Sequence, residues 1–301
     1  MTETASVKGR RMNTSPPEDR SSLLLYKARD KNQILDLITT ETPSIIGEDE
    51  VKKILRLHRD YFIANPIKIF EYEVNEIVQR ISSKTTLIDL GCWTGVLGRQ
   101  ILDRVTPRLY VGIDAGIWYC EVAKEIMPPE CKFRSFYVIP DSAVDLAHVD
   151  KIYFNPEDPL NTSGFYTRRV IPQDKLAAMP TGKTIRPIDF AHFLKSNYDL
   201  EDLYLKTDVE GVDQEIVQAL IKSKTLPRVI HFEMLEKFKL RFWEDTRKLL
   251  KQHYKFIEVP DRINYCGIIV AVRMDSGLTP TTIIWDKTTK QIEKVESDGI
   301  F

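Results

Sequence analysis

The sequence predicts an α/β fold, a mostly parallel sheet covered by helices on both faces. Two observations predict it. From Leu87 onward, short apolar runs alternate with stretches of helical periodicity, as successive βαβ units do. The first of these runs, Leu87-Ile88-Asp89-Leu90, leads directly into a glycine-spaced turn, Gly91-Cys92-Trp93-Thr94-Gly95. A helical pattern of Val96, Leu97, Ile101 and Leu102 follows. Strand, glycine turn and helix together open a nucleotide-binding unit: glycines allow positive φ and close backbone approach, and the new helix presents unpaired N–H groups to a ligand.

Composition sets the outer limits. A chain of 301 residues, 43% of them hydrophobic, suits one large domain or one domain with an appendage. Its 43 basic and 44 acidic side chains nearly cancel, which weighs against a dedicated nucleic-acid binder. Cys92, Cys120, Cys131 and Cys266 show no paired spacing, hence no zinc signature and no disulfide framework. No apolar run approaches membrane-spanning length, and Leu23-Leu24-Leu25-Tyr26 is too short for a signal-peptide core. A soluble, cytoplasmic protein is expected.

Read in order, residues 1–22 are polar and expected to be a disordered leader. Residues 23–84 are expected to form a helical cap. Its helices lie around Ile34–Ile38, over Glu48–Ile63 (burying Val51, Ile54, Leu55, His58, Tyr61 and Phe62), and from Pro66 to Ile81. His58 on that apolar face reads as packing. The α/β domain spans 85–275, with strands at Leu87–Leu90, Leu109–Ile113 and Lys132–Ile139. Between Pro140 and Pro187 only Lys151–Phe154 reads as a strand; the rest is expected to be a long binding loop carrying Arg168, Arg169, Lys175, Lys183 and Arg186. Alternation resumes with a short helix at Phe190–Leu194, strands at Asp202–Thr207 and Pro227–Met234, and a helix over Lys237–Tyr254. Phe256–Val259 and Tyr265–Val272 read as a closing antiparallel pair. In 276–301, Thr281–Trp285 and Gln291–Val295 form a hairpin, read as an edge extension or an oligomer contact.

In an open α/β sheet, ligands lie beyond the carboxyl ends of the strands. The residues there are Asp89 with Gly91 and Gly95, Asp114, the Ile139–Ser142 turn, Asp208 with Glu210, and His231 with Glu233. Asp114 follows the first strand at the distance at which an acid meets ribose hydroxyls. Lys206-Thr207-Asp208-Val209-Glu210-Gly211 is the most specific stretch. Alternation puts Lys206 and Asp208 on one face, and carboxylates at a sheet mouth require a cation, hydrogen bonds or a ligand. Asp213 in the next helix reads as a complement to the helix dipole. Asn155-Pro156-Glu157-Asp158 lacks the second proline and the aromatic of an amine-methylating loop, and it precedes the fourth core strand. A dehydrogenase reading fails because the turn is no GxGxxG and Tyr119 and Lys124 stand five apart.

These residues resemble the FkbM family of S-adenosylmethionine-dependent methyltransferases, a branch of the Rossmann-like class I fold. Asp89, Gly91 and Gly95 match its first motif. Lys206, Asp208, Glu210, Gly211 and Asp213 match its Lys-x-Asp-x-Glu-Gly motif with a following acid. Ile188-Asp189-Phe190, Phe193-Leu194, Pro227-Arg228-Val229-Ile230 and Glu233 resemble the flanking segments. Cys92-Trp93 stands where the family commonly has Ala-Asn, and Asp213 where it usually has Glu. The resemblance implies a seven-stranded sheet of order 3-2-1-4-5-7-6. It also implies a cofactor, S-adenosylmethionine, held near Asp89, Gly91, Cys92, Trp93 and Gly95, with Asp114 at the ribose and Asp141 near the adenine. The loop around Asn161–Arg169 would border the acceptor.

Methyl transfer to a hydroxyl requires alignment and removal of a proton. Asp208, Glu210 and His231 are the candidates for that base or for orienting it; an Asp-bound divalent metal is the alternative means of acidifying the hydroxyl, although no ligand spacing demands one. O-methylation of a sugar or small secondary metabolite leads. A carboxylate or amine acceptor on a small molecule or peptide is the alternative among enzymes, and a non-catalytic Rossmann-like binding module the alternative outside them.

Overall fold

The computed structural model of the chain describes residues 47–141, 151–155, 158–162, 177–209, 211–258, 265–286, 289 and 291–296. The expected leader, the helix around Ile34–Ile38, Glu210, Arg168, Arg169 and Lys175 lie outside the described residues.

Among the described residues, two helices precede the sheet, α1 (Glu48–Ala64) and α2 (Lys68–Val78). The units β1 (Thr86–Leu90), α3 (Val96–Leu102), β2 (Leu109–Asp114), α4 (Ile117–Lys124) and β3 (Lys132–Val138) follow. Next come β4 (Lys151–Asn155), β5 (Asp158–Thr162), β6 (Ala177–Pro180) and β7 (Lys183–Ile185). The second half holds α5 (Pro187–Asn197), β8 (Leu203–Thr207), α6 (Asp213–Lys222), β9 (Val229–Leu235) and α7 (Glu236–Leu250). β10 (Tyr254–Lys255), β11 (Tyr265–Arg273), β12 (Thr281–Asp286) and β13 (Gln291–Glu296) complete it.

Among the described residues the main sheet has ten strands, not seven, in the order β13-β12-β11-β9-β8-β1-β2-β3-β7, with β10 beside β11. Strands β3, β2, β1, β8, β9, β11 and β10 reproduce the expected core order; β7, β12 and β13 are additions at the edges. β1, β2, β3, β8 and β9 are parallel, and β11 runs antiparallel to β9. The hairpin β12–β13 continues the sheet as an antiparallel edge extension.

Among its described residues, the stretch expected to be one strand and a long loop holds four strands. β5, β4 and β6 form a separate antiparallel sheet, and β7 adds to the main sheet beside β3. These strands carry Pro159, Asn161 and Pro180 and a register shift at Phe154/Asn155, so they show no apolar alternation to read. The strand expected at Phe256–Val259 lies two residues earlier, at Tyr254–Lys255, because α7 ends at Leu250.

Strand alternation divides the core by face. Ile88, Leu90, Val111, Leu205, Ile230 and Phe232 pack toward α5, α6 and α7. Leu87, Tyr110, Tyr204 and Val229 pack toward α2 and α3, where Val74, Ile77, Leu97 and Ile101 are buried. Each such aliphatic side chain contributes about 1.5–3 kcal/mol by leaving water. A third cluster joins Val51 and Leu55 of α1, Tyr119 and Val122 of α4, Ile152 of β4 and Met179 of β6. Tyr61, expected to be buried, is 59% exposed. Arg59 takes an inward place on α1, donating to the Val122 carbonyl at 3.0 Å and pairing with Glu125 at 2.9 Å.

Candidate active site

The carboxyl end of β1 is fixed by its turn. The N–H groups of Gly91 and Cys92 both donate to the Ile113 carbonyl, at 2.7 and 3.1 Å, which ties the turn to β2. Gly91 (φ 83°) and Gly95 (φ 81°) are left-handed, as is Trp93 at 47°. A side chain at Gly91 has no room: its Cβ would stand 1.9 Å from the Asp208 carbonyl oxygen. Asp208 N–H in turn donates to Leu90 O at 2.9 Å. The two sequence motifs thus meet backbone to backbone.

Asp114 braces this turn. Its Oδ2 accepts from Trp93 N–H at 2.9 Å and its Oδ1 from Gly116 N–H at 3.0 Å, leaving each oxygen a further lone pair. Burial pushes its pKa up to about 6, against the pull of those two N–H groups. The Trp93 ring meets Phe62 of α1 edge-on, 5.7 Å between centroids. Its Nε1 and the Thr94 hydroxyl are buried without a hydrogen-bond partner among the described residues, and such groups are uncommon unless a ligand or water completes them. The Cys92 thiol turns inward, close to where a Cβ on Gly112 would stand, and burial drives its pKa well up.

The segment 177–182 flanks the next turn. Thr181 bridges to Gly116, Gly182 N–H donates to the Ala115 carbonyl at 2.9 Å, and a Cβ on Gly116 would stand 2.4 Å from Met179 Sδ. Residues 177–182 therefore lie against the turn after Asp114. Asp141, just past β3, is exposed and faces the charge of Arg186, which pairs with Asp189 at 2.9 Å.

Beside the turn, one face of the sheet carries a buried column of charge. Lys206 Nζ lies 3.2 Å from Asp89 Oδ1 and 3.6 Å from Asp208 Oδ2, and Tyr110 Oη donates to Asp89 Oδ2 at 2.8 Å. Burial opposes the Lys206 charge, but Asp89, Asp208 and Glu73 hold its pKa well above the ordinary lysine value. Glu73 enters from α2, with Oε1 3.2 Å from His231 Nε2. Although burial opposes its charge too, Lys206 and His231 keep its carboxyl below the usual range. Asp208, 36% exposed, opens to solvent at the mouth. Burial, Glu73 and Asp89 raise its pKa, while Lys206 and a hydrogen bond with Glu233 oppose the rise.

His231 was expected at a strand end; it is the third residue of β9. The ring is 1% exposed, with Nδ1 2.9 Å from Tyr204 Oη and Nε2 against Glu73. A hydroxyl that reaches Asp208 does not reach this ring without displacing Glu73. Asp213 does more than complement a dipole. Its carboxylate accepts from Thr207 Oγ1 at 2.7 Å, Val209 N–H at 3.2 Å and Gly211 N–H at 3.3 Å, shaping the turn after β8; burial pushes its pKa up to about 6.

Sequence reasoning left Glu73 out of the site. Its only signal was a carboxylate on the buried face of an apolar helix, beside Val74 and Ile77. Lys206 and Glu233 were read as parts of motifs, and the structure gives them partners. Among the described residues, no group of three or more His, Cys, Asp or Glu is placed to hold a metal ion, and no helix is long and apolar enough to cross a membrane.

No protein-family model matches the chain, and no curated protein matches it. Among solved structures the chain is similar to the O-methyltransferase from Bacillus cereus in complex with SAH, at 10% identity and a TM-score of 0.34, over 86% of this chain and 93% of that one. It is similar to SAM-bound CalS10, an amino pentose methyltransferase from Micromonospora echinaspora, at 11% identity and a TM-score of 0.31, over 85% and 83%. It is also similar to precorrin-6y C5,15-methyltransferase from Geobacter metallireducens GS-15, at 9% identity and a TM-score of 0.33, over 77% and 93%. Likeness at this distance says nothing of what this chain binds.

Proposed function

We propose that the chain is an S-adenosylmethionine-dependent methyltransferase of the FkbM type, acting on a hydroxyl of a sugar or small secondary metabolite. The observation that carries this reading is the sign of the charge beneath the glycine turn. Asp89, Asp208, Glu73 and Glu233 share that face with one lysine ammonium, Lys206. A dinucleotide would bring its pyrophosphate toward this acidic floor, whereas S-adenosylmethionine brings an ammonium and a sulfonium.

The residues present fit that cofactor. Asp114 keeps a lone pair on each oxygen for two vicinal ribose hydroxyls. Trp93 Nε1 and Thr94 Oγ1 are donors in want of an acceptor at the turn. Asp89, held by Tyr110 and Lys206, supplies fixed negative charge. When bound, the cofactor supplies a methyl group on a positively charged sulfur. Asp208, at the mouth of the cleft, takes the proton of the acceptor hydroxyl. Lys206 holds Asp208 in place, and His231 sets Glu73 beneath it.

The acceptor is found by incubating the protein with labelled cofactor and pooled metabolite extracts, followed by mass spectrometry. A product labelled on a hydroxyl oxygen is expected. Label confined to amines or carboxylates overturns the hydroxyl assignment, and no labelled product from any extract overturns the enzyme reading.

A further inference from the structure

The Tyr110 hydroxyl joins the buried column of charge from β2, outside both sequence motifs. Register places it there. Asp89 of β1 stands opposite Gly112 of β2 on one side and opposite Lys206 of β8 on the other. Tyr110, two residues before Gly112, shares its face, and diagonal neighbours of this kind lie within reach of an aromatic side chain. Gly98 of α3 leaves room for the hydroxyl at the end of that reach: a Cβ at Gly98 would stand 2.2 Å from Tyr110 Oη. The phenol is 2% exposed, and its ring lies 6.1 Å from that of Phe133.

A phenylalanine would fill the same space, and a buried hydroxyl costs stability unless it is bonded. Here it donates to Asp89 Oδ2 at 2.8 Å, while Asp89 Oδ1 faces Lys206 Nζ at 3.2 Å. The same ammonium lies 3.6 Å from Asp208 Oδ2. Lys206 is therefore shared by two carboxylates, and its share for Asp208 depends on how fully Asp89 is satisfied from elsewhere. Tyr110 supplies that satisfaction with a neutral donor. Around Asp208 stand Glu73 of α2, Asp89 of β1, Glu233 of β9 and Asp213 of α6. His231 of β9 is turned to Glu73, and Asp114 of β2 and the Cys92 thiol lie within electrostatic reach of Asp89. Among so many acids, what Asp208 receives from Lys206 bears directly on its proton affinity.

We infer that Tyr110 is a positioning residue for methyl transfer, acting on the base Asp208 through Asp89 and Lys206, an inference that rests on the methyl-transfer reading above. No proton travels along this row. The phenol holds one oxygen of Asp89, which leaves the ammonium free to lean toward Asp208. The carboxylate at the mouth thereby keeps the ionised form that takes the acceptor's proton. Asp208 is the catalytic residue; Tyr110, covered by the core, acts only through the two charges between them.

The test is a carboxyl-carbon NMR titration of the full chain labelled at Asp, with Asp208→Asn marking the resonance. Tyr110→Phe keeps the ring and removes the donor. Asp89, still beside an ammonium, stays ionised and draws Lys206 to itself, so the Asp208 titration is expected to rise by about half a pH unit or more. Replacing Tyr110 by 3-fluorotyrosine, a stronger donor of nearly the same shape, is expected to move it down. An Asp208 titration that stays in place or falls in Tyr110→Phe overturns the inference. If that variant does not fold, the fluorotyrosine sample decides, and no downward movement there is the overturning result. Calorimetry with S-adenosylmethionine on the same samples separates the two claims. A folded wild type that binds none overturns the cofactor reading, whereas binding with an unmoved Asp208 titration overturns the role of Tyr110 alone.

Discussion

The carbonyl oxygen of Asp208 occupies the space that a Cβ at Gly91 would need, 1.9 Å away. Residues 117 positions apart are thereby made one structure, and the turn after β1 sets where Asp208 begins its path out of β8. Gly91→Ala is expected to lose the left-handed φ at about 1–2 kcal/mol and, in addition, to push the two strand ends apart. Gly277→Ala is the control, since Gly277 has φ 70° but nothing within 4 Å of its would-be Cβ. Urea unfolding should show Gly91→Ala clearly the worse of the two.

Lys206 is the ammonium that the acidic floor requires. Lys206→Met leaves Asp89 and Glu73 buried without it, an arrangement that costs about 3–5 kcal/mol at neutral pH. Carboxyl groups that lose their cation take up protons more readily, so the deficit should shrink as pH falls. Urea unfolding at pH 7 and at pH 5 checks this; an equal deficit at both would mean that Lys206 is not paired with these acids.

Glu73 brings the N-terminal helix α2 into the site. Glu73→Gln removes a negative charge that raises the Asp208 pKa, so the Asp208 titration should move down. It also weakens the contact with His231, at about 1–3 kcal/mol in stability. Carboxyl NMR and thermal unfolding of the same variant read the two effects separately.

Asp114 gives the cofactor site a pH dependence. Its pKa of about 6 means that the carboxyl is largely protonated at pH 5 and ionised at pH 7. Ribose hydroxyls donate to the ionised form, so affinity for S-adenosylmethionine should rise with pH through about 6 and level off above it. The same shift has the opposite sign for folding. The folded chain binds this proton more tightly than the unfolded one, so this group's contribution to stability declines as pH rises from about 4, the ordinary Asp value, to about 6. Affinity measured across pH 5 to 8 should lose its slope in Asp114→Asn.

Much of the fold was legible because its signals are local. The run Leu87–Leu90, the glycine turn and the pattern of Val96, Leu97 and Ile101 name a strand, a turn and a helix without reference to anything distant. The insert was illegible for the converse reason. β5 carries Pro159 and Asn161, and its partner β4 has a register shift, so only the pairing itself reveals the strand. The site divides in the same way. Gly91, Asp114 and Asp208 are marked by their place at strand ends. Glu73 gains its meaning only when α2 lies over β8 and β9, and periodicity does not report which strands a helix will cover. His231 stands three residues before Met234, the expected end of its strand, and the strand runs on to Leu235, so the ring lies inside the sheet and not at its mouth.

The most direct test is calorimetric titration of S-adenosylmethionine into the full chain and into Asp114→Ala. One site per chain is expected in the wild type, with affinity at least about tenfold weaker in the variant, equivalent to ~1.4 kcal/mol. A folded wild-type protein that takes up no S-adenosylmethionine, or a variant that binds it equally well, would contradict the site built on Gly91, Asp114 and Asp208.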